Sequence, residues 1–259
     1  MSPWKDRDNL LALMVGIVLI TAIVLAAMAF APLSQFTRGG DWKWVNPDAL
    51  ESLAVEIDVD VCDVEVTFED LTEGSVEVRY AVKGRSGVLT GTPEINFTVT
   101  PRLNGEDLTV SVVLDMETGP TVTYKESYVT VVIDRSLPAS LNIDVDVGDV
   151  VITVPGNASL TGAAVHTDVG GLHVHLEEGA MVGDLDLISD VGSVNMDCVD
   201  ALFDEGAVVK AETGTGSIYL DIERSSSSRG NVTFDCLANV GSVHLTLDVA
   251  GGTSAEITS

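Results

Sequence analysis

The sequence predicts an all-β fold for the C-terminal half of the 259-residue chain: a β-solenoid, or a closely related sandwich of repeated strands. Three observations predict it. A short pattern returns five times, its apolar and polar residues alternate, and a glycine stands at the centre of each copy. The central glycines are Gly148, Gly170, Gly192, Gly216 and Gly241, at intervals of 22, 22, 24 and 25 residues. A period in this range is typical of stacked repeat architectures.

Each copy has the two-residue alternation of a half-buried strand. The second, fourth and sixth residues after every central glycine are apolar, and the residues between them are mostly polar. Apolar and polar residues also alternate before each glycine, but at the glycine the inward-facing positions shift by one residue. This shift requires a corner, and glycine tolerates the backbone angles of a corner. Because one copy cannot bury its own apolar face, we expect coils of about 22–25 residues to stack on one another.

The N-terminal part predicts a membrane anchor. A charged tail at 1–9 precedes residues 10–33, which contain no charged side chain and are long enough to cross a bilayer as a helix. Residues 34–49 are typical of a juxtamembrane linker. The alternative is a cleaved signal peptide, because residues 27–31 resemble small-x-small cleavage sites, although the apolar run exceeds a usual signal core. We expect a single-pass protein of the cell membrane with an extracytoplasmic C-terminal domain.

The remaining chain divides into an irregular β-strand part at 50–140 and the regular repeats at 141–259. Residues 57–67 (IDVDVCDVEVT) nearly repeat at 143–153 (IDVDVGDVVIT). In this alignment Cys62 takes the place of a central glycine. The likeness indicates that an early, degenerate form of the same architecture precedes the regular one.

Charge and cysteine content exclude several function classes. The chain has 40 acidic and 13 basic residues and a formal net charge of −27, which repels phosphates and predicts no binding to nucleic acid. The three cysteines, Cys62, Cys198 and Cys236, lack the spacing of a metal knuckle or a disulfide framework. We interpret them as small buried hydrophobic residues. A bridge between Cys198 and Cys236 is the alternative.

Aspartates recur two residues before the central glycines, at Asp146, Asp168 and Asp190. In a stack of strands they form a column with a spacing of about 5 Å, which repels itself unless a cation, water or hydrogen bonds intervene. Carboxylate oxygens are calcium ligands, so these three residues are candidate calcium ligands. The alternative is that aspartates at the corners cap backbone amides, as turn residues do.

A second hypothesis concerns histidines. His173 and His175 point to one face, and Asp197 is expected beside His175 on the next strand, so the three could hold a transition metal. The alternative is that these side chains are only solvated. No phosphate-binding glycine loop or nucleophile elbow is present in the sequence. We predict no catalytic residue, no cofactor and no enzymatic activity.

The segment YVTVVIDRSLPASLNIDVDVGDVVITV and the Asp-Val-Gly repeats after it resemble the putative-adhesin family of membrane-anchored bacterial and archaeal proteins. The motif positions of that family are occupied here by Leu137-Pro138 and the five central glycines. The resemblance covers residues 50–250. It implies an adhesin or a structural or binding module of the cell envelope. We expect the predicted anchor to contact the lipid bilayer, and the domain to contact surface polysaccharide or other envelope proteins. The alternative is a regulatory or stress-sensing partner of a membrane signalling protein. The sequence does not indicate an oligomeric state.

Overall fold

Each glycine-centred copy contributes one strand to each of two sheets. The computed structural model describes residues 17–21, 33–45, 50–87, 91–119, 122–225 and 232–249. Sheet A contains, in spatial order, β1 (Leu33–Trp44), β4 (Val76–Gly87), β7 (Val122–Asp134), β3 (Asp63–Glu69), β9 (Val150–Val154), β11 (Leu172–Leu176), β13 (Val194–Val199), β16 (Ile218–Arg224) and β18 (Val243–Val249). Sheet B contains β17 (Val232–Val240), β15 (Ala207–Thr215), β12 (Met181–Val191), β10 (Ser159–Val169), β8 (Ala139–Val147), β2 (Ser52–Val61), β6 (Asp107–Met116) and β5 (Ile95–Asn104), and the short β14 (Leu202–Phe203) pairs with β12.

Successive repeats pair in parallel and in register. Val165 lies opposite Ile143 on one side and Leu187 on the other, so each inward position faces its equivalent in the next repeat. At the N-terminal end of both sheets the pairing is antiparallel, between β1 and β4, β4 and β7, and β5 and β6. Because β2 pairs with β8 and β3 with β9, both sheets continue from the early strands into the repeats.

The prediction of an all-β fold is confirmed, and the prediction of a β-solenoid behind a transmembrane helix is wrong. The described chain forms two large mixed sheets. The physical reason is that the strands on the two sides of each glycine belong to different sheets. Antiparallel strands complete both sheets: β1, β4 and β7 in sheet A, and the hairpin of β5 and β6 in sheet B. The alternation in the sequence indicates which residues point inward. It does not indicate how many sheets the strands form.

The N-terminal predictions also require correction. Of the predicted span at 10–33, the described residues are 17–21, which are helical, and Leu33, where β1 begins. Among the residues that the structure describes, no helix is long and apolar enough to cross a bilayer. This finding overturns the prediction of a single-pass protein of the cell membrane. The tail at 1–9 and the candidate cleavage sites lie outside the described residues, and most of the predicted linker at 34–49 belongs to β1.

One hydrophobic core lies between the two sheets. The apolar triplets that follow the first four central glycines are all buried. In the fifth copy, Leu245 and Leu247 are only half-buried and Val243 is 44% exposed, because β18 is the last strand of sheet A. The buried triplets are Val150, Ile152 and Val154; Leu172, Val174 and Leu176; Val194, Met196 and Cys198; and Ile218, Leu220 and Ile222.

The central glycines form a tightly stacked corner between the sheets. A β-carbon at residue 170 would overlap the carbonyl oxygen of Gly148, and one at residue 192 would overlap that of Gly170. Gly148 itself packs against the carbonyl group of Cys62. The pairing of Val61 with Val147 and of Val64 with Val150 brackets this contact, so Cys62 does occupy the early equivalent of a central glycine.

Candidate functional site

Four aspartates cross the outward face of sheet B on adjacent strands. We call Asp60, Asp146, Asp168 and Asp190, on β2, β8, β10 and β12, the acidic row. The registers of the residues before and after them place the four opposite one another. Strands in a sheet are about 4.8 Å apart, so neighbouring carboxylates repel. The three candidate calcium ligands therefore lie side by side, with Asp60 extending their column.

Repulsion and partial burial act on the carboxylates of this face. Partial burial raises the pKa of Asp146, and the negative charges of Asp60 and Asp168 raise it further. The pKa of Asp58, two residues before Asp60, is raised by partial burial and then by Asp144. Both shifts favour the neutral carboxyl group, and the part that comes from the neighbouring aspartates reflects a negative potential over this part of sheet B.

His166 projects into the acidic face beside the row. Its Nδ1 lies 2.9 Å from Oδ1 of Asp144. Its Nε2 lies 3.6 Å from Oδ1 of Asp168 and 3.7 Å from Oδ1 of Asp190. The hydrogen bond to Asp144 is the main cause that raises the pKa of His166. Within the described ranges, His166, Asp168 and Asp190 are the one group of three His, Cys, Asp or Glu side chains whose ligand atoms all lie within 4.8 Å of one another.

Corner capping, the alternative role for aspartates, belongs to other residues. Asp63 accepts a 3.0 Å hydrogen bond from the amide of Asp149, and Asp149 accepts a 2.7 Å bond from the amide of Gly171. Each side chain thus links one corner to the next. The carboxylates of Asp168 and Asp190 instead face His166, so the two roles divide between different aspartates.

The outward face of sheet A carries the second predicted cluster. His175 and Asp197 are paired in register on β11 and β13, and Nδ1 of His175 lies 3.0 Å from Oδ2 of Asp197. The prediction that these two residues lie next to each other is confirmed. His173 lies opposite Asn195 instead of a carboxylate. The three predicted residues therefore do not form a convergent set of ligand atoms, since that description applies only to the group around His166 in the described chain.

An aromatic platform lies further along the same face. The rings of Tyr219 and His244, on β16 and β18, stack at a centroid distance of 4.9 Å and an interplanar angle of 4°. Tyr219 is 46% exposed. We call the shallow groove around this pair the sheet A groove; it is lined by His173, Asn195, Asp197, Tyr219, Leu220, Asp221, His244 and Thr246. The groove combines exposed rings with carboxylate, amide and hydroxyl groups.

The cysteines are free thiols. Cys62 and Cys198 are buried, and Cys236 is half-buried. Burial raises the pKa of Cys62 to about 12 and that of Cys198 to about 11. Cys198 belongs to sheet A and Cys236 to sheet B, and no bridge joins them. The interpretation of Cys62 and Cys198 as buried hydrophobic residues is confirmed.

Sequence reasoning missed His166 and Tyr219. A signal for the histidine was available, because the fourth residue before the central glycine is Asp144 in the first copy and His166 in the second. In-register stacking places these two side chains next to each other. Tyr219 could have been recognised as an aromatic residue at an outward position, in register with His244 of the next copy.

The fold and these outward faces define the chain as a two-sheet, all-β protein built from parallel repeats. No protein-family model and no curated protein sequence matches it. The crystal structure of a putative cell adhesion protein from Clostridium sporogenes is similar over 82% of this chain and 100% of that chain, with 13% sequence identity and a TM-score of 0.53. The resemblance inferred from the sequence is thus confirmed as a likeness of fold to a putative cell adhesion protein.

Two further solved structures match with lower TM-scores. A putative adhesin from Bacteroides fragilis is 14% identical, with a TM-score of 0.28 and coverage of 82% of this chain and 97% of that chain. A putative adhesin from Parabacteroides merdae is 12% identical, with a TM-score of 0.27 and coverage of 83% and 95%. These two scores are too low to add to the description of the fold.

Proposed function

We propose that this protein is a non-catalytic, adhesin-like binding module that recognises a polysaccharide through the sheet A groove. The stacked pair of Tyr219 and His244 is the observation on which the proposal rests. The two stacked rings cover one face of each other, and their outer faces and edges form the aromatic surface that can pack against the apolar face of a sugar ring. Asn195, Asp197 and Asp221 surround the pair with the hydrogen-bonding groups that sugar hydroxyls require.

The charge of the chain limits which polysaccharides the protein can bind. With a formal net charge of −27, the protein repels polyanions over the distances that screening allows. The ligand is therefore a neutral or amino-sugar polysaccharide. The parallel register supports extended contact, since outward residues of successive repeats follow one another along the sheet. Several weak contacts along one polymer add through effective concentration.

The experiment is a depletion assay with the full chain and insoluble polysaccharides: cellulose and chitin as neutral polymers, chitosan as a cationic one and alginate as an anionic contrast. We expect retention on at least one of the first three and none on alginate. Tyr219→Ala should weaken retention about tenfold, equivalent to about 1.4 kcal/mol. The matched control is Tyr128→Ala, because Tyr128 is 44% exposed on β7, which five strands of sheet A separate from β18 and four from β16.

Equal losses in the two tyrosine variants would contradict the assignment to the sheet A groove. Absence of retention on all polymers, together with co-purification of one protein in equal amount, would contradict polysaccharide binding. That second result would favour the regulatory alternative. The likeness of fold to the Clostridium sporogenes cell adhesion protein supports an adhesive role without identifying the ligand.

A further inference from the structure

We propose that His166, Asp168 and Asp190 bind one divalent transition-metal ion on the outward face of sheet B. The site is separate from the sheet A groove and is independent of the proposed polysaccharide binding. It also differs from the calcium column predicted by the sequence, because a histidine replaces Asp146 as the third ligand.

The first argument is the spacing of the ligand atoms. The separations of 3.6 and 3.7 Å between Nε2 of His166 and the two Oδ1 atoms are too long for direct hydrogen bonds. Zinc binds imidazole nitrogen and carboxylate oxygen at about 2.0–2.2 Å, so two ligands of a tetrahedral ion lie roughly 3.4 Å apart. All three ligand atoms lie within 4.8 Å of one another, and the exposed side chains of Asp168 and Asp190 have room to rotate towards a bound ion.

The second argument is the orientation of the imidazole ring. Its Nδ1 faces Oδ1 of Asp144 at 2.9 Å, and an ionised carboxylate can only accept, so Nδ1 carries the proton. In the neutral ring, Nε2 then presents its lone pair to the carboxylates of Asp168 and Asp190. Three electron-rich atoms facing one another are unfavourable unless a second proton on the ring or a metal ion lies between them, so a metal ion would take the place that this proton otherwise occupies. A carboxylate that orients a histidine from behind is also the usual outer partner of a metal-binding imidazole.

The third argument concerns the kind of ion. Asp60 and Asp146 extend the negative potential beside the three ligands and attract any divalent cation. Calcium and magnesium prefer oxygen ligands, whereas an imidazole nitrogen with two carboxylates suits zinc, manganese, iron, cobalt or nickel. Three protein ligands leave coordination positions for water or for a donor group of another molecule.

The test is a titration of the full chain with Co²⁺ and Zn²⁺, followed by the visible absorption of Co²⁺ and by calorimetry. We expect one ion per chain and competition of Zn²⁺ for the Co²⁺ site. His166→Gln and Asp190→Asn should each weaken binding at least tenfold. The matched control is His175→Gln, since His175 is also an exposed histidine beside a carboxylate, Asp197, and it should retain the wild-type affinity.

Three results would overturn the proposal. The first is the absence of a one-to-one Co²⁺ signal at millimolar metal. The second is a loss in His175→Gln as large as the loss in His166→Gln. The third is binding that persists in His166→Gln and that Ca²⁺ displaces as well as Zn²⁺ does, which would assign the ion to the carboxylates of the acidic row alone. Urea unfolding of each variant verifies that the fold is retained, and Asp190→Asn supplies an independent test should His166→Gln be unstable.

Discussion

The hydroxyl of Ser189 donates a 2.8 Å hydrogen bond to the carbonyl oxygen of Gly170, one repeat earlier in the chain. Thr213 makes the equivalent 2.8 Å bond to Gly192, and Thr167 makes a 3.3 Å bond to Gly148. All three hydroxyl side chains are buried. The corners of the second, third and fourth copies are therefore each fastened to the preceding copy by a side chain as well as by the backbone.

Removal of this hydroxyl should destabilise the corner. We expect Ser189→Ala to lower the free energy of unfolding by about 1–3 kcal/mol, because the Gly170 carbonyl loses its hydroxyl donor in a buried position. Urea denaturation measures the change. Ser193→Ala, on the other side of Gly192 and only half-buried, is the control and should stay within about 0.5 kcal/mol of the wild type. Equal effects of the two substitutions would refute the role of the hydroxyl.

Substitution of a central glycine should destabilise the protein more than removal of the hydroxyl does. Gly170→Ala should cost about 3 kcal/mol or more, because its β-carbon would overlap the carbonyl oxygen of Gly148 in a stack that has no room to move. Gly162→Ala is the matched control within the same repeat, since a β-carbon there would make an ordinary contact, 3.5 Å from the carbonyl oxygen of Asp184. Thermal unfolding of the control should resemble that of the wild type. A mild effect at residue 170 would contradict the tight corner.

Removal of one negative charge from the acidic face of sheet B should reduce the repulsion between its carboxylates. Since the pKa of Asp58 is raised in the folded state, its ionised form opposes folding. Asp58→Asn should therefore stabilise the protein at pH 7, by no more than about 0.5 kcal/mol because the side chain is exposed and screened. The gain should disappear as the pH falls through the raised pKa towards 3.8, the unfolded value. Melting temperatures between pH 3 and 8 measure it, and a gain that persists at pH 3 would contradict the electrostatic cause.

For Glu77 the ionised carboxylate has the opposite effect on stability. Its pKa is lowered mainly by hydrogen bonds from Lys43, at 2.8 Å, and Arg79, at 2.7 Å. The ionised carboxylate thus stabilises the fold above the unfolded value of 4.5, and this contribution is lost as the pH falls through the lowered pKa. Glu77→Gln should lower stability at pH 7 by up to about 1 kcal/mol and have little effect in strong acid. The same pH series measures it, and a loss independent of pH would exclude this ion-pair cause.

Thiol reactivity tests the burial of the cysteines. The thiolate is the reactive form, and Cys62 and Cys198 are buried with pKa values raised to about 12 and 11. At pH 8 an aromatic disulfide reagent should therefore modify only Cys236 in the folded protein, slowly, and all three thiols in urea. Cys236→Ser should abolish the native reaction. Rapid modification of two thiols in the folded state would contradict the packing of the core.

The sequence alone predicts much of the core. The alternation around each glycine correctly identifies inward residues such as Ile152, Val174 and Met196, because burial on one face requires a period of two. The likeness between 57–67 and 143–153 also correctly places Cys62 beside Gly148. Both inferences depend on local pattern, which the sequence contains in full.

The division into two mixed sheets could not be predicted in this way. The antiparallel pairing of β1, β4 and β7 depends on contacts between residues far apart in the chain, which no periodic pattern records. The same limit applies to the candidate sites. Stacking of the copies predicts the column of Asp168 and Asp190, whereas the convergence of both carboxylates on His166 depends on the orientation of its side chain. Apolar length alone suggested a helix at 10–33, where Leu33 begins a strand.

Because every copy is joined to the next in the same register, the number of copies can change without altering the contacts between neighbouring copies. Duplication of one 22-residue copy would add one strand to each sheet and reproduce the same glycine contact and hydroxyl bond at the new junction. Each face would then grow by about 4.8 Å, while existing residues would keep their neighbours. Gene-level gain or loss of whole copies can therefore adjust the reach of the protein without the design of a new core. The outward residues of an added copy are free to diverge once the inward ones are in place.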